Sequence, residues 1–288
     1  MSNYIEYKDK IIYHPGYYIK EIVDDSELTQ EAFARRLNTT PKNLSVLIKG
    51  NQSLSIDMAV KLSRMLKTNV ETWLNIQKTY DIAVAQIQSE EELIQERKTF
   101  KYIDYNYFVK NYNLPKSANI DIQIQNVREF LNLASINVLK NVDDSISYKD
   151  YKNANVSEII NSNIMIQIGI NEVINTKTPG FDRSKLQKTI KQIQNIKDKT
   201  DQIKEKLLSV GIVLITIPSI KNAKISGATK KIKNKIMILI NEDCTKDSRI
   251  FSHTLFHEIG HIVNGDYGNK PHTKVSEEKA DEYAKNNT

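Results

Sequence analysis

A single cysteine, Cys244, in a chain of 288 residues excludes an internal disulfide and fits a reducing cytoplasm. No run of 18 apolar residues exists, so no transmembrane helix is expected and no membrane partner is implied. The first ten residues are polar and lack the apolar core of a signal peptide. No internal repeat at solenoid spacing is present. What remains, with 40% hydrophobic and 26% charged residues, reads as soluble and globular, long enough for two domains.

The formal net charge is +6, but it is unevenly spread. Through residue 84 the chain holds 11 basic and 10 acidic side chains, whereas residues 177–235 hold 15 and 4. Such a run usually marks a solvated face, although an overall basic chain also permits nucleic-acid binding.

Two stretches carry chemistry. The first is His257-Glu258-Ile259-Gly260-His261. With five His and eighteen Glu in the chain, random order would give H-E-x-x-H only about 0.005 times. Apolar Leu255, Phe256, Ile259, Ile262 and Val263 surround it at helical spacing. Positions i and i+4 share a helix face, so His257 and His261 can aim at one ion. Glu258 is placed as the general base on water. A catalytic zinc site needs a third protein ligand. Glu277, sixteen residues on, is the first choice and Glu278 the alternative. Asp281, one turn past Glu277, is placed to hold the other ring nitrogen of a ligand His. His253 is assigned to packing, and Cys244 to no role. His253, His272 and Tyr283 are the candidates for steadying an oxyanion.

The second stretch lies near the N-terminus. His14-Pro15-Gly16 marks a turn. Thr29 caps a helix ending near Leu37, and Asn38-Thr39-Thr40 breaks it. Thr40 caps the next, with Pro41 at its first position, Leu44, Leu47 and Ile48 facing inward, and Gly50 at its end. Two short helices joined by a three-residue turn form a helix-turn-helix signature. The second would enter the major groove with Lys42, Asn43, Ser45, Val46 and Lys49 outward, and Gln30 would meet a phosphate.

Residues 14–77 resemble the HigA antitoxins of the Xre/Cro repressor class. The matching pieces are His14-Pro15-Gly16, Leu28-Thr29-Gln30, Ala34-Arg35-Arg36-Leu37, Ile48-Lys49-Gly50 and Trp73-Leu74-Asn75-Ile76-Gln77; Tyr17 departs from the family's usual Glu. The resemblance implies a dimer that represses its own operon on operator DNA and neutralises a HigB-type toxin.

Farther along, Phe100 to Tyr112 is rich in aromatics and reads as core. Residues 141–163 read as helix with loops. After Pro179-Gly180, one helix is expected with a stripe from Leu186 to Leu207 and a lysine-rich outer face. Strands follow at Ile212–Ile217, Ile225–Thr229 and Lys235–Ile240, then a polar loop and the helix of the H-E-x-x-H motif. The fold class expected is a mainly α N-terminal helix-turn-helix domain (1–84), a helical connector (85–176), and an α+β zinc-metallopeptidase-like domain with a small antiparallel sheet (177–288).

That last domain resembles the ImmA/IrrE metallopeptidases, clearly over 210–284 and more loosely over 100–209. The pieces are Gly211-Ile212-Val213, Ser226-Gly227-Ala228-Thr229, His253 through His261, and Glu277 through Ala284. The resemblance implies zinc held by His257, His261 and Glu277, Glu258 as base, and a repressor or antitoxin protein as substrate. In the family the Glu-bearing helix continues into further helices, so this chain, ending at Thr288, reads as shortened. The expectation is a HigA-like repressor carrying a zinc peptidase-like domain. The alternatives are an active metallopeptidase with secondary DNA binding, or a metal site that only staples the fold.

Overall fold

The computed structural model describes residues 3–141, 154–194, 196, 200–267 and 273–288. Among them no helix is long and apolar enough to cross a membrane. The chain divides into two compact units, Met1–Ile94 and Gln95–Thr288.

The first unit opens with a hairpin that the sequence did not announce, β1 (Tyr4–Tyr7) and β2 (Lys10–Tyr13), paired antiparallel. Its turn residues Lys8 and Asp9 take positive φ of 49° and 62° without glycine, so the usual Asn-Gly signal is missing. Four helices follow: α1 (Pro15–Asp25), α2 (Gln30–Arg36), α3 (Pro41–Ile48) and α4 (Ile56–Leu66). Each has the cap its sequence provides. His14 Nδ1 accepts the Gly16 N–H at 3.0 Å, and Thr29, Thr40 and Ser55 cap α2, α3 and α4. Burial lowers the His14 pKa, which keeps the ring neutral as an acceptor.

Gly16 has a packing reason. A Cβ there would lie 2.1 Å from the Leu47 carbonyl oxygen, so only glycine lets α1 approach α3 this closely. Ile19, Phe33, Ala34, Leu37, Leu44, Leu47, Met58, Leu62 and Trp73 close the core. The Trp-Leu-Asn-Ile-Gln run also serves structure: Gln77 Oε1 accepts the Leu54 N–H at 2.7 Å, and Trp73 Nε1 donates to Thr68 at 2.8 Å. That run belongs to α5 (Val70–Phe100), a single 31-residue helix. The unit boundary falls within it.

The second unit continues with α6 (Tyr105–Tyr112), α7 (Ile120–Leu131) and α8 (Val156–Asn175). Phe100, Tyr105, Tyr107 and Phe108 are buried, as their density predicts. Of the stretch 141–163, residues 142–153 lie outside the described residues.

The stripe from Leu186 to Leu207 predicts one helix, whereas the structure has two, α9 (Arg183–Gln194) and α10 (Thr200–Leu208). Both bury the same stripe, and periodicity carries no sign of the break because Ile196 and Ile203 stay seven apart. Three strands follow, β3 (Ile212–Ile217), β4 (Gly227–Ile232) and β5 (Lys235–Asn241).

Their order is β3-β5-β4. The β4–β5 hairpin is antiparallel as expected, but β3 pairs parallel to β5. The sheet is therefore mixed. The loop from Pro218 to Ser226 steps past one position, and β5 returns into the gap. The strand runs Ile-Val-Leu-Ile and Ile-Met-Ile-Leu-Ile are continuously apolar, which is the pattern of strands covered on both faces. One face of β5 presents Met237 and Leu239 to Gly169 of α8, where a Cβ would come within 2.9 Å of the Met237 sulfur. The other presents Ile236, Ile238 and Ile240 to α9, α10 and the next helix, α11 (Ser248–Asn264). The second unit begins at Gln95, inside the region expected as a connector, and α8 from that region supplies one layer over the sheet. The chain ends with α12 (Lys274–Asn287), packed on α11.

Candidate functional site

In the first unit the α2–α3 turn places Asn38 at φ 52°, a left-handed position asparagine tolerates. Thr39 N donates back to the Ala34 carbonyl at 3.0 Å, closing the turn. Leu44, Leu47 and Ile48 are sealed inside. Lys42 and Lys49 are exposed, while Ser45 and Val46 are half-buried on the outer flank. Gln30 is exposed at the first position of α2. Asn43 is held: its amide donates to Thr39 Oγ1 at 2.9 Å, and its oxygen accepts from Gln52 Nε2 at 3.1 Å. It anchors this edge of α3, and Gln52 was not among the residues expected there.

In the second unit, α11 starts at Asp247, whose carboxylate accepts the Arg249 N–H at 2.8 Å, and ends at Gly265 with φ 84°. Helical spacing turns His257 and His261 to one side, with their Nε2 atoms 3.2 Å apart. His261 is fully buried and His257 nearly so. Thr273 caps α12 and puts Glu277 in its first turn. Gly260 lets the two helices close, since a Cβ there would stand 3.0 Å from the Ala280 Cα. The Glu277 carboxylate then lies 3.4 Å from His257 Nε2 and 3.6 Å from His261 Nε2. Asp281, one turn on, meets His257 Nδ1 at 2.8 Å. Glu278 faces outward, with its side chain 66% exposed and Lys274 3.9 Å away.

These positions allow a direct test of fit to a metal. Zinc bonds of ~2.0–2.2 Å in a tetrahedron put ligand atoms ~3.3–3.6 Å apart. The two Nε2 atoms are 3.2 Å apart, Glu277 Oε2 lies 3.4 Å from His257 Nε2 and its Oε1 3.6 Å from His261 Nε2, and one ligand atom from each residue falls within 4.8 Å of the other two. Two imidazole nitrogens and one carboxylate oxygen are a borderline-soft, net anionic set that suits zinc. The residues fit. The Asp281 contact at Nδ1 leaves Nε2 of His257 as the nitrogen aimed at Glu277 and His261.

Glu258, the next residue on the helix, reaches toward β4. Its Oε2 accepts the Thr229 hydroxyl at 2.7 Å. A Cβ on Gly227 would sit 2.6 Å from its Oε1, so the carboxylate occupies the space that glycine leaves. Burial pushes the Glu258 carboxyl up to about 7, against the pull of the His257 charge and the Thr229 hydroxyl. Near neutral pH it can both take and return a proton. Burial pulls the His257 ring down. The hydrogen bond to Glu277 and the charges of Glu258, Glu277 and Asp281 outweigh that, and its pKa ends above the ordinary value. Thr229 and Gly227 were not assigned roles from the sequence, although a glycine within a strand signals a close approach.

Glu258, His257 and Glu277 open on a cleft of about 610 Å³, which Gly227, His253 and Cys244 also line. Burial raises the Cys244 thiol pKa, so it stays protonated. Tyr283, raised by burial, packs against the apolar core. His272 lies outside the described residues.

Comparison with known proteins concerns the first unit. Residues 19–73 match the helix-turn-helix family. The chain is 33% identical over 72 residues to the HTH-type transcriptional regulator YddM of Escherichia coli, a match that spans 25% of this chain and 77% of the relative. A solved addiction module antidote protein of the HigA family from Coxiella burnetii is 26% identical, with a TM-score of 0.27, over 29% of this chain and 92% of its own. A Pseudomonas aeruginosa protein solved in complex with its operator DNA is 26% identical, with a TM-score of 0.27, over 29% of this chain and 88% of its own.

Proposed function

The chain belongs to the helix-turn-helix family through residues 19–73, and we propose that it acts as an antitoxin-type transcriptional repressor that binds operator DNA. One observation carries this reading. A sealed α2–α3 pair keeps Lys42, Ser45, Val46 and Lys49 on the outer flank of α3, with Gln30 exposed at the start of α2. Lys42 and Ser45 supply donors for base edges or phosphates, and Val46 an apolar contact for a thymine methyl. Asn43, held by Thr39 and Gln52, fixes the approach edge. Operators read by such helices are commonly two-fold, so a homodimer goes with this reading; a HigB-type toxin partner is what the resemblance to HigA antitoxins adds. A mobility-shift titration on a duplex from the promoter of its own gene tests it. Lys42→Ala with Val46→Ala should weaken binding at least about tenfold, each lost contact being worth ~1–3 kcal/mol. Unchanged binding would remove α3 as the reading helix.

A second reading rests on a separate observation, the convergence of His257, His261 and Glu277 beside Glu258, with one ligand atom from each of the three within 4.8 Å of the others. These three residues would hold zinc, and the second unit would act as a zinc-dependent peptidase on a repressor or antitoxin protein. Zinc, when bound, supplies Lewis-acid polarisation of a carbonyl and lowers the pKa of water to ~7. Glu258, with a pKa of about 7, takes a proton from water and returns it to the leaving amine. Asp281 orients His257, and Thr229 aims Glu258. Metal content decides whether the site is used. Glu258→Gln should keep about one zinc per chain and abolish any cleavage, whereas His257→Ala should lose the zinc. Wild-type protein with less than about half an equivalent would sink this reading.

A further inference from the structure

DNA affinity depends first on how many phosphates a protein neutralises. Residues 1–84, which include the helix-turn-helix, are nearly balanced at 11 basic to 10 acidic side chains. The net charge of that unit therefore adds little attraction to DNA beyond its local contacts. The surplus lies in residues 177–235, with 15 basic and 4 acidic.

Two of these lysines are held in structural contacts. Lys224 pairs with Glu158 at 3.0 Å, and Lys235 donates to the Val173 carbonyl at 2.9 Å. Helix α9 differs. Its inner positions Leu186, Thr189, Ile190 and Ile193 are buried, and every other position is exposed. The exposed face carries Arg183, Lys185, Lys188 and Lys191 and not one carboxylate. Arg183 donates to the Val263 carbonyl at 2.8 Å, and Lys185 pairs with Asp182 at 2.9 Å. Lys188 and Lys191 line a shallow depression with Ser184, Gln187 and Gln192. Ammonium and amide donors along one helix, with no carboxylate on it, complement a polyanion that offers regularly spaced acceptors.

We propose that the outer face of α9 is a second contact to DNA, made to the sugar-phosphate backbone without reading sequence. The inference rests on the DNA-binding reading of the first unit and assigns the second unit a share of the affinity. Lys188 and Lys191 neutralise phosphates, Lys185 adds a third charge when Asp182 releases it, and Gln187 and Gln192 donate to phosphate oxygens.

The test is the salt dependence of binding by the full chain, followed by fluorescence anisotropy. Two probes serve, a duplex from the promoter of its own gene and a random duplex of equal length. Each phosphate contact contributes about 0.9 to the slope of log K against log salt. Replacing Lys185, Lys188 and Lys191 together by Gln should flatten the slope by about 2–3 on both probes. Conversely, Gln187→Lys with Gln192→Lys should steepen it by about 2. This gain-of-contact variant keeps the idea falsifiable if the triple variant misfolds. Wild-type binding with slopes unmoved by either variant overturns the α9 contact and leaves the helix-turn-helix reading intact. Wild-type protein that binds neither duplex at low salt overturns both. Loss of binding to anionic vesicles in the triple variant, with unmoved duplex slopes, would also overturn it and reassign the face to a membrane surface.

Discussion

Gly227→Ala should destabilise the second unit, although a glycine-to-alanine change in an extended strand is ordinarily favourable. Alanine usually gains ~0.4–1 kcal/mol by restricting the unfolded chain. Here the new Cβ would lie 2.6 Å from Glu258 Oε1 and 3.0 Å from its Cγ and Cδ. Carbon contacts are comfortable near ~3.5–4.0 Å, so the carboxylate has to move. It is only 3% exposed, and any shift has to be made into the cleft it borders. Moving also stretches its 2.7 Å bond from Thr229. Overpacking costs ~1–3 kcal/mol, and weakening a hydrogen bond to a buried charge adds a similar amount. A net loss of about 2–4 kcal/mol lowers the melting temperature of a unit this size by roughly 5–10 °C. Thermal melting of the full chain followed by circular dichroism reads this, and a double-mutant cycle isolates the cause. In a Glu258→Ala background the collision partner is gone, so Gly227→Ala should cost less than about 1 kcal/mol. A Gly227→Ala protein that melts at or above the wild-type temperature would refute the packing of Glu258 against β4. Equal costs in the two backgrounds would place the strain elsewhere.

Asp281→Ala should weaken zinc binding about 10–100-fold in a chelator competition, because His257 loses the partner at Nδ1 that orients it; unchanged affinity would make Asp281 a bystander. Cys244 should react with a disulfide reagent at pH 7 more slowly than a free thiol, since burial raises its pKa, and unfolding in guanidinium should abolish the difference; equal rates in the folded protein would contradict its placement. Gly16→Ala should destabilise the first unit by about 1–3 kcal/mol, because its Cβ would lie 2.1 Å from the Leu47 oxygen; a stabilised variant would mean that α1 does not press on α3.

The helix-turn-helix was legible because its signals are local. Thr29, Thr40 and Pro41 sit where caps and first-turn residues belong, and Leu44, Leu47 and Ile48 follow a single period. The His257, His261 pair was legible for the same reason, being separated by one turn of one helix. Glu277 needed a long-range fact, the close approach of α11 and α12 at Gly260; the sequence offered its spacing to Asp281 and the family resemblance. Other features depended on strand order. Continuous apolar strands say that both sheet faces are covered, but not that β5 returns between β3 and β4. The roles of Thr229 and Gly227 follow from that order, because it puts β4 at the sheet edge nearest Glu258. The break between α9 and α10 was hidden by a stripe that continues across it. The hairpin β1–β2 turns on Lys8 and Asp9 rather than on glycine, so no punctuation marks it.

In the proposed function, α3 recognises a particular DNA sequence. The most direct test is the ratio of its affinities for a duplex from its own promoter and for a random duplex of equal length. It should be measured by anisotropy on the full chain at ~150 mM salt, where non-specific binding is weak. Sequence recognition by α3 should give a preference of about 10³-fold or more for the promoter duplex. Affinities equal within about threefold would contradict it, because charge alone would then explain the binding.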